Sequence, residues 1–414
     1  MKPLFTALAP NNERGDILLS FSLLFQPWRW IHGRGVRFLE KAFRSRFAVP
    51  YAYAFTSGRG ALTALLSSLH LDRDDEVLLQ AYTCVAVPEP IIAVHAKPIY
   101  VDINSRTFTM SVEDLRKKIT ARSKVLIIQH TFGNPTGMDD LLALAREHDL
   151  FVIEDCAHAL GAHYYDKLVG TFGDAAFFSF GRDKVISSVF GGMAITHQKT
   201  LGERLRDIQD HAGHQTYRWV FQQLIHPPLM GFVKKTYSFF LGKLLLRFLY
   251  VFHITSRAVY AKEKRGHQPS FLSKRLPNSL AILALHQFEK LARLNDHRLT
   301  LATLYRNHLA DTSFLLPEHQ AEASPSFLRY TLQDENADAI LAFAKKHNVF
   351  LGDWYRTPLA PYGVQYSSVC YKQGSCPVAE RVALSSFNLP THIGIAKHDA
   401  ERIVNLLTLY ASRH

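Results

Sequence analysis

The chain has 414 residues, of which 47% are hydrophobic and 20% are charged. This composition is typical of a globular protein and excludes a disordered one, and the length predicts two domains. The net charge of +12 suits an anionic partner such as a phosphate or an acidic membrane. The chain shows no zinc-finger spacing, RNA-binding signature or long Lys/Arg run, so no nucleic acid is expected as a partner.

The cysteines are too few and too scattered for a disulfide framework, which predicts reduced thiols in a cytoplasmic protein. Cys370 and Cys376 lie close together in the sequence, but no second pair completes a metal site, so no metal is expected. The N-terminus has one lysine and a short apolar patch that Pro10 and Asn11 interrupt, which is unlike a signal peptide.

Strand-like and helix-like segments alternate from about residue 54 to residue 200. The segments suited to buried strands begin with AYAF and continue with DEVLLQ, KPIYVDI, KVLIIQH, LFVIEDCA, AAFFSF and GMAIT. GALTALLSSLHL and MDDLLALAREHD have apolar residues at helical spacing. This alternation predicts an α/β fold with a mostly parallel sheet flanked by helices, and a ligand site at the carboxyl ends of the strands.

Residues 219–260 form a strongly apolar insert that Lys234, Lys235, Lys243 and Arg247 interrupt. Its uncharged stretches are far shorter than the roughly 20 residues that span a bilayer. Three interpretations remain open: packing in the core or in a dimer, a helix at a membrane interface, or a lid near the active site.

A long helical pattern leaves the sheet at about residue 281, and a smaller α+β region follows it. The sequence therefore predicts three parts. They are an N-terminal segment at 1–34, a large domain at 35–280 that contains the insert, and a linking helix with a small C-terminal domain at 281–414.

Polar residues follow two of the predicted strands. Asp155 ends one strand and His158 comes three residues later, while Ser179 ends another strand and Lys184 comes five residues later. Taken singly, these are ordinary capping, core or surface residues. Together they meet the needs of a pyridine-aldehyde cofactor: a carboxylate keeps the ring nitrogen protonated, and a lysine amine forms the Schiff base and moves the α-proton.

The segment TSGRGAL supplies a place for a phosphate. Gly58 allows close approach of the backbone, a helix starts at about Gly60, and Ser57 or Arg59 stands beside it. Ser179 is a second candidate. A single such turn is a weak signal, but its order with Asp155 and Lys184 on successive strand ends is a strong one.

With these motifs the chain resembles the DegT/StrS family of aminotransferases, from about residue 35 to the C-terminus apart from the insert. The family motifs correspond here to SGRGA, EDCAHALGA and SFGRDKVISSVFGG. The resemblance implies a fold-type-I enzyme with pyridoxal 5'-phosphate. It also implies an amino-acid donor such as glutamate, a keto-sugar acceptor linked to a nucleotide, and a homodimer.

The resemblance assigns a role to each matching residue. Lys184 would be the Schiff-base lysine and proton shuttle, Asp155 would pair with the pyridine nitrogen, and His158 would lie by the ring and its 3-hydroxyl. The residues that would hold the phosphate are Gly58, Arg59 and Ser179. The large domain at 35–280 would bind the cofactor.

Three positions depart from the family pattern. Arg59 replaces the usual threonine, Cys84 stands where an aromatic residue stacks on the ring, and Ser273 replaces an asparagine that reaches the phosphate of the partner subunit. These departures leave other hypotheses open: a fold-type-I scaffold with a membrane-associated regulatory or assembly role, a dehydratase, or a nucleotide-binding protein without this cofactor. Lys184 favours transamination over dehydration, and the absence of a GxGxxG or Walker motif places the nucleotide-binding hypothesis last.

Overall fold

The computed structural model describes residues 2–251 and 254–413. Its strands are β1 (Leu4–Phe5), β2 (Tyr51–Phe55), β3 (Glu76–Gln80), β4 (Thr83–Cys84), β5 (Lys97–Val101), β6 (Ser123–Gln129), β7 (Phe151–Asp155), β8 (His163–Tyr164), β9 (Lys167–Leu168), β10 (Ala175–Ser179), β11 (Gly192–Thr196), β12 (Ala323–Ser324), β13 (Arg329–Gln333), β14 (Val349–Phe350), β15 (Leu359–Ala360) and β16 (Ser386–Pro390).

The α-helices are α1 (Arg14–Leu24), α2 (Gly35–Phe47), α3 (Gly58–Ser68), α4 (Pro88–Ala93), α5 (Val112–Lys118), α6 (Met138–Glu147), α7 (Lys199–His211), α8 (Tyr217–Leu224), α9 (His226–Thr236), α10 (Leu241–Val251), α11 (Asn278–Phe288), α12 (Leu291–Leu309), α13 (Ala337–Lys346), α14 (Pro377–Ser385) and α15 (Lys397–Ala411).

The seven-stranded central sheet has the order β2-β11-β10-β7-β6-β3-β5. All its strands are parallel except β11, which is antiparallel to β2 and β10. Its members are the strands expected from the sequence, so that prediction is confirmed. Apolar side chains cover both faces: Phe178 packs with Phe43 of α2 on one side, and Phe177 lies in the same cluster as Leu65 of α3 on the other. Burial on both faces explains why these strands are continuous apolar runs.

The C-terminal part of the chain has its own core. Strands β13 and β16 pair in antiparallel orientation, and Tyr305, Tyr330 and Phe387 lie buried between them and helices α12, α13 and α15. Strand β1 pairs with β14, so the start of the chain lies beside this part. The helical pattern expected from residue 281 is divided into α11 and α12 by a turn at Glu289 and Lys290.

The apolar insert folds as α8, α9 and α10. Helix α9 packs against both α1 and α10, and Met230, Val233 and Leu249 form a small core there. Within the two described ranges, no helix has both the length and the hydropathy needed to cross a bilayer. The insert is therefore partly core, and it also forms a wall of a cavity at the carboxyl ends of the central strands.

Candidate active site

A cavity of about 1020 Å³ opens at the carboxyl ends of the central strands. Its wall contains every residue for which the sequence predicted a role with the cofactor. These residues, which are up to 126 positions apart in the chain, are Gly58, Arg59, Cys84, Asp155, His158, Ser179 and Lys184. The fold thus brings the whole predicted set to one place, as expected for a parallel sheet.

Asp155 is the last residue of β7 and is buried. One of its carboxylate oxygens accepts a hydrogen bond from the Ala157 N–H at 2.9 Å. Burial raises the pKa of Asp155, and this hydrogen bond and the charge of Lys184 oppose the rise. A buried carboxyl group with so little compensation would be stabilised by a cationic N–H group in the cavity.

The preceding residue, Glu154, points to the other face of the sheet and anchors the strand. It accepts hydrogen bonds from the His130 ring at 3.0 Å and from the Gly170 N–H at 2.7 Å. Burial opposes its ionisation, but His130 and the backbone N–H groups hold the pKa of Glu154 below its usual value. Cys156 lies near this pair, so three residues of metal-ligating type meet here. The hydrogen bonds of Glu154 give it a structural role.

His158 lies in an aromatic stack beside Asp155. Its ring is nearly parallel to that of Phe132 on one side (9°, 6.0 Å) and to that of Trp354 (18°, 5.6 Å). Nδ1 accepts a hydrogen bond from the Phe132 N–H at 3.3 Å, and Nε2 lies 3.3 Å from the Tyr355 hydroxyl. Burial lowers the pKa of His158 well below its usual value, and the positive charges of Lys184 and Arg329 add to this effect. The imidazole is therefore neutral at physiological pH.

Lys184 lies in the loop between β10 and β11, and the backbone of this loop is firmly held. The Lys184 carbonyl accepts a hydrogen bond from the Asn11 side chain at 2.5 Å, and the next carbonyl accepts one from the buried Arg298 at 2.7 Å. The Lys184 ammonium lies 5.3 Å from the centre of the Trp354 ring. Burial lowers the pKa of Lys184, and nearby Cys84 and Asp155 oppose this shift. The amine is thus easier to deprotonate than that of an exposed lysine.

The predicted phosphate turn begins helix α3. Ser57 caps this helix: its hydroxyl oxygen accepts a hydrogen bond from the Gly60 N–H at 3.0 Å. A Cβ atom on Gly58 would lie 2.8 Å from the Ser179 Cβ, so only glycine lets these two strand ends approach so closely. The hydroxyl of Ser179 accepts a hydrogen bond from the Gly181 N–H at 3.4 Å. The first N–H groups of α3 and the Ser179 hydroxyl therefore face the same part of the cavity.

Arg59 follows Gly58 and is held by the chain itself. Its guanidinium forms an ion pair with the fully buried Glu263 and donates a hydrogen bond to the Ala258 carbonyl at 2.7 Å. Glu263 in turn accepts a hydrogen bond from the Tyr260 N–H at 2.6 Å. This pair fastens the segment after the insert to the start of α3. The phosphate role expected for Arg59 stays a prediction.

Cys84 is half-buried on β4, which pairs with β15 and lines the cavity. Tyr82 is fully buried and donates a hydrogen bond to the Ser386 hydroxyl at 2.8 Å, so it points away from the cavity. Neither residue places an aromatic ring in the cavity.

Trp354 brings an aromatic ring to the cavity wall, and sequence reasoning missed it. It lies in the loop between β14 and β15, where no motif or strand end marks it. The buried Arg329 guanidinium lies 3.9 Å from the centre of its ring. The indole therefore contacts two cations and His158.

The insert forms the outer wall of the cavity. Lys243, Leu246 and Arg247 of α10 line it, as does Met230 of α9. Arg182, in the same loop as Lys184, lines it as well and donates a hydrogen bond to the Ser256 hydroxyl. The outer half of the cavity is thus cationic, with apolar residues between the charges.

Residues 272–275, which include the departure at Ser273, pack within their own chain. The Leu272 carbonyl accepts a hydrogen bond from the Ser57 hydroxyl at 2.8 Å, and the Ser273 hydroxyl accepts one from Gln268 at 3.1 Å. Arg275 forms an ion pair with Asp210. In a single chain these residues support the start of α3.

Comparisons with known sequences place the chain in a family. The DegT/DnrJ/EryC1/StrS aminotransferase family matches residues 15–234 and 245–408, which leaves out ten residues of the insert. The chain is 28% identical over 396 residues to the UDP-N-acetyl-3-dehydro-alpha-D-glucosamine 3-aminotransferase of Acidithiobacillus ferrooxidans, which covers 95% of this chain and 93% of that protein. It is 40% identical over 177 residues to the GDP-perosamine synthase of Escherichia coli O157:H7, which covers 42% of this chain and 49% of that protein.

Solved structures confirm the expected fold class. S. venezuelae DesV matches with a TM-score of 0.76 and 22% identity over 97% of this chain and 95% of its own. Helicobacter pylori PseC, an aminotransferase, matches with a TM-score of 0.76 and 17% identity over 100% of both chains. The fold is that of the fold-type-I aminotransferases, with a mostly parallel sheet flanked by helices. The chain is a member of the DegT/DnrJ/EryC1/StrS aminotransferase family.

Proposed function

We propose that this aminotransferase moves an amino group from an amino-acid donor, such as glutamate, to a keto-sugar that carries a nucleoside diphosphate. The observation that carries the proposal is the cavity that joins Asp155, His158, Lys184 and the turn at Gly58. The relatives support the acceptor class, because their names describe UDP- and GDP-linked amino sugars.

The residues of the cavity fit pyridoxal 5'-phosphate. The turn at Gly58 and the Ser179 hydroxyl would hold its phosphate, and the buried Asp155 would hold its protonated ring nitrogen. When bound, this cofactor withdraws electrons from the substrate carbon that loses its proton. The neutral His158 would lie beside the ring; because its Nδ1 accepts the Phe132 N–H, its proton is on Nε2, which can donate one hydrogen bond.

Lys184 would move the proton. Its amine is held in the loop after β10, and burial favours its neutral form. A neutral Nζ can take the α-proton from the donor in the first half-reaction, and a protonated Nζ can give a proton to the acceptor carbon in the second. Trp354 limits the volume in which this amine moves.

The cationic outer wall supports a diphosphate-bearing acceptor. Arg182, Lys243 and Arg247 line the cavity on the side of the insert. A diphosphate needs such cations, because its charge is otherwise left without water or counter-ions when the substrate is bound.

The test is an absorbance spectrum of the purified protein with added pyridoxal 5'-phosphate, before and after borohydride, followed by peptide mapping. We expect a visible band and a reduced adduct on the peptide that contains Lys184. Lys184→Ala should lose both and keep most phosphate affinity, while the exposed Lys167→Ala is the matched control. A folded protein with no band and no adduct would instead support the scaffold hypothesis. If the band and the adduct are found, the next measurement is amino-group transfer from glutamate to UDP- or GDP-linked keto-sugars.

We further propose a homodimer in the cytoplasm. Tyr362 at the rim of the cavity is 83% exposed, and a second copy could cover it. The four cysteines are free thiols, as a reducing compartment requires. Sedimentation velocity would show a dimer, and a monomer at all concentrations would contradict it.

A further inference from the structure

Helix α1 presents apolar side chains to solvent. Leu18 and Phe21 lie on one face of this helix, Phe25 directly follows its last residue, and each of the three is at least half exposed. The opposite face is buried and includes Ser20 and Leu23. Large exposed aromatic side chains on one helix face mark a surface that binds another apolar phase.

Helix α10 carries a second exposed apolar stripe. Leu241, Leu244 and Val251 lie on one face of this helix and are each at least half exposed. Phe239 and Phe240, in the turn before the helix, are 79% and 70% exposed. Helix α9 packs against both α1 and α10, so the two stripes lie on helices that flank the same helix. We call the exposed apolar side chains of α1, α10 and the turn before α10 the apolar face.

The cavity opens beside this apolar face. Lys243 and Arg247 are four residues apart on α10, both are exposed, and both line the cavity. They lie next to the stripe of Leu241 and Leu244 around the helix. One short helix therefore borders both the apolar face and the mouth of the active site.

The segment of the chain that contains α10 carries charge of one sign. Residues 211–262 contain no Asp or Glu and seven Lys or Arg. A two-fold contact with a second copy would bring these cations opposite one another, with no acid in the segment to pair with them. An anionic bilayer offers the opposite arrangement, with apolar chains for the aromatic residues and phosphate groups for the cations.

From these observations we infer that the apolar face docks onto an anionic lipid bilayer and that α10 holds the mouth of the cavity at the level of the lipid headgroups. The helices lie on the bilayer and do not cross it, since none of the described helices is long enough. The inference does not depend on the amino acceptor or on the cofactor.

The test is co-sedimentation of the full chain with vesicles of phosphatidylcholine alone or with 30% phosphatidylglycerol. We expect binding to the anionic vesicles that weakens as salt increases, and little binding to the neutral ones. Leu241→Glu with Leu244→Glu should lower the affinity at least about tenfold. The matched control is Leu299→Glu with Leu384→Glu, two exposed leucines on other helices.

A variant with fewer cations separates the electrostatic contribution to vesicle binding from the apolar one. Arg218→Gln with Lys235→Gln removes two exposed cations that do not line the cavity. It should lower affinity for the anionic vesicles about tenfold and reduce the dependence on salt. Unchanged vesicle binding in both double variants would overturn the inference. The inference would also be overturned if the wild type did not bind vesicles and the Leu241→Glu, Leu244→Glu double variant dissociated an oligomer of this chain.

Tryptophan fluorescence gives a second measurement that needs no charged substitution. Trp28 follows α1 and is 71% exposed. Brominated lipids in the anionic vesicles should quench part of the tryptophan fluorescence of the wild type. This quenched part should be missing in Trp28→Phe, because it comes from Trp28. Equal quenching in wild type and Trp28→Phe, with vesicles bound, would contradict docking through this face.

Discussion

Lys184 and Trp354 meet across the active-site cavity, with the lysine Nζ 5.3 Å from the centre of the indole ring. Lys184 lies in the loop after β10 of the central sheet and Trp354 in the loop between β14 and β15, so both parts of the chain line the cavity. Arg329 contacts the same ring at 3.9 Å. The electron-rich ring therefore holds the Arg329 guanidinium and the Lys184 side chain in position at the wall of the cavity.

Trp354→Ala should therefore lower kcat/KM about five- to thirtyfold, which corresponds to about 1–2 kcal/mol for cation–π contacts of this kind. Trp354→Phe keeps a ring and should retain most activity. Trp28→Ala, outside the cavity, is the control for loss of an indole. Steady-state kinetics with the amino donor measures the effect, and wild-type kcat/KM in Trp354→Ala would contradict the role of the ring.

Asp155→Asn should lower kcat on the order of 10²–10³-fold, because an amide cannot supply the charge that a protonated ring nitrogen needs. Phosphate binding should change much less, since the turn at Gly58 is untouched. Single-turnover kinetics and a cofactor titration separate these effects. Glu147→Gln is a matched exposed control. If Asp155→Asn turned over at the wild-type rate, the ring nitrogen would have to contact another group.

Lys184 should titrate below the pKa of about 10.4 that is usual for lysine, because burial disfavours its charged form. Trace acetylation of the cofactor-free protein across pH 7–11, read by mass spectrometry, gives the midpoint for each lysine. Exposed Lys235 is the internal reference. Asp155→Asn should lower the midpoint of Lys184 further, because the carboxylate raises it. Equal midpoints for Lys184 and Lys235 would rule out this shift.

Glu89 should make stability depend on pH. It is buried, and among the described residues neither of its carboxylate oxygens has a hydrogen-bond partner. Burial raises the pKa of Glu89 to about 7, although Arg59 opposes the shift. Since the folded-state pKa exceeds the unfolded value of about 4.3, the stabilisation is complete below the unfolded value and is lost as pH rises through 7.

Glu89→Gln removes this dependence. Relative to wild type, the variant should gain up to about 3 kcal/mol in free energy of unfolding between pH 4.5 and pH 8. Urea unfolding of both proteins at several pH values measures the gain. A difference that does not change with pH would show that Glu89 keeps an ordinary pKa in the folded protein.

The buried pair of Arg59 and Glu263 predicts strong coupling. Glu263→Gln should cost about 3–5 kcal/mol in free energy of unfolding, because the arginine charge loses its partner. Adding Arg59→Leu to Glu263→Leu should recover most of the loss that either leucine substitution causes alone. Urea unfolding of the cofactor-free protein gives the double-mutant cycle. Additive losses would mean that the two side chains do not form a pair.

The strands and the strand-end residues could be predicted from local sequence. Buried parallel strands are short apolar runs, so β6 and β7 stand out without any tertiary information. The residue that ends each strand must lie at the ligand-binding edge, which is why Asp155 and Ser179 could be assigned to one site. The role of Gly58 could also be predicted from local sequence, because a close approach of the backbone requires glycine.

The side chains that contact those residues could be identified only from the tertiary structure. Trp354 is 170 positions from Lys184, and Glu263 is 204 positions from Arg59. Neither partner belongs to a periodic pattern or a motif, because a contact between distant segments depends on how the domains pack and leaves no local signal. The insert shows the same limit. Its composition allowed core, lid and membrane interpretations. Hydrophobic residues favour burial away from water, but their composition does not specify which surface they pack against. The folded chain divides it among a small core, the cavity wall and an exposed face.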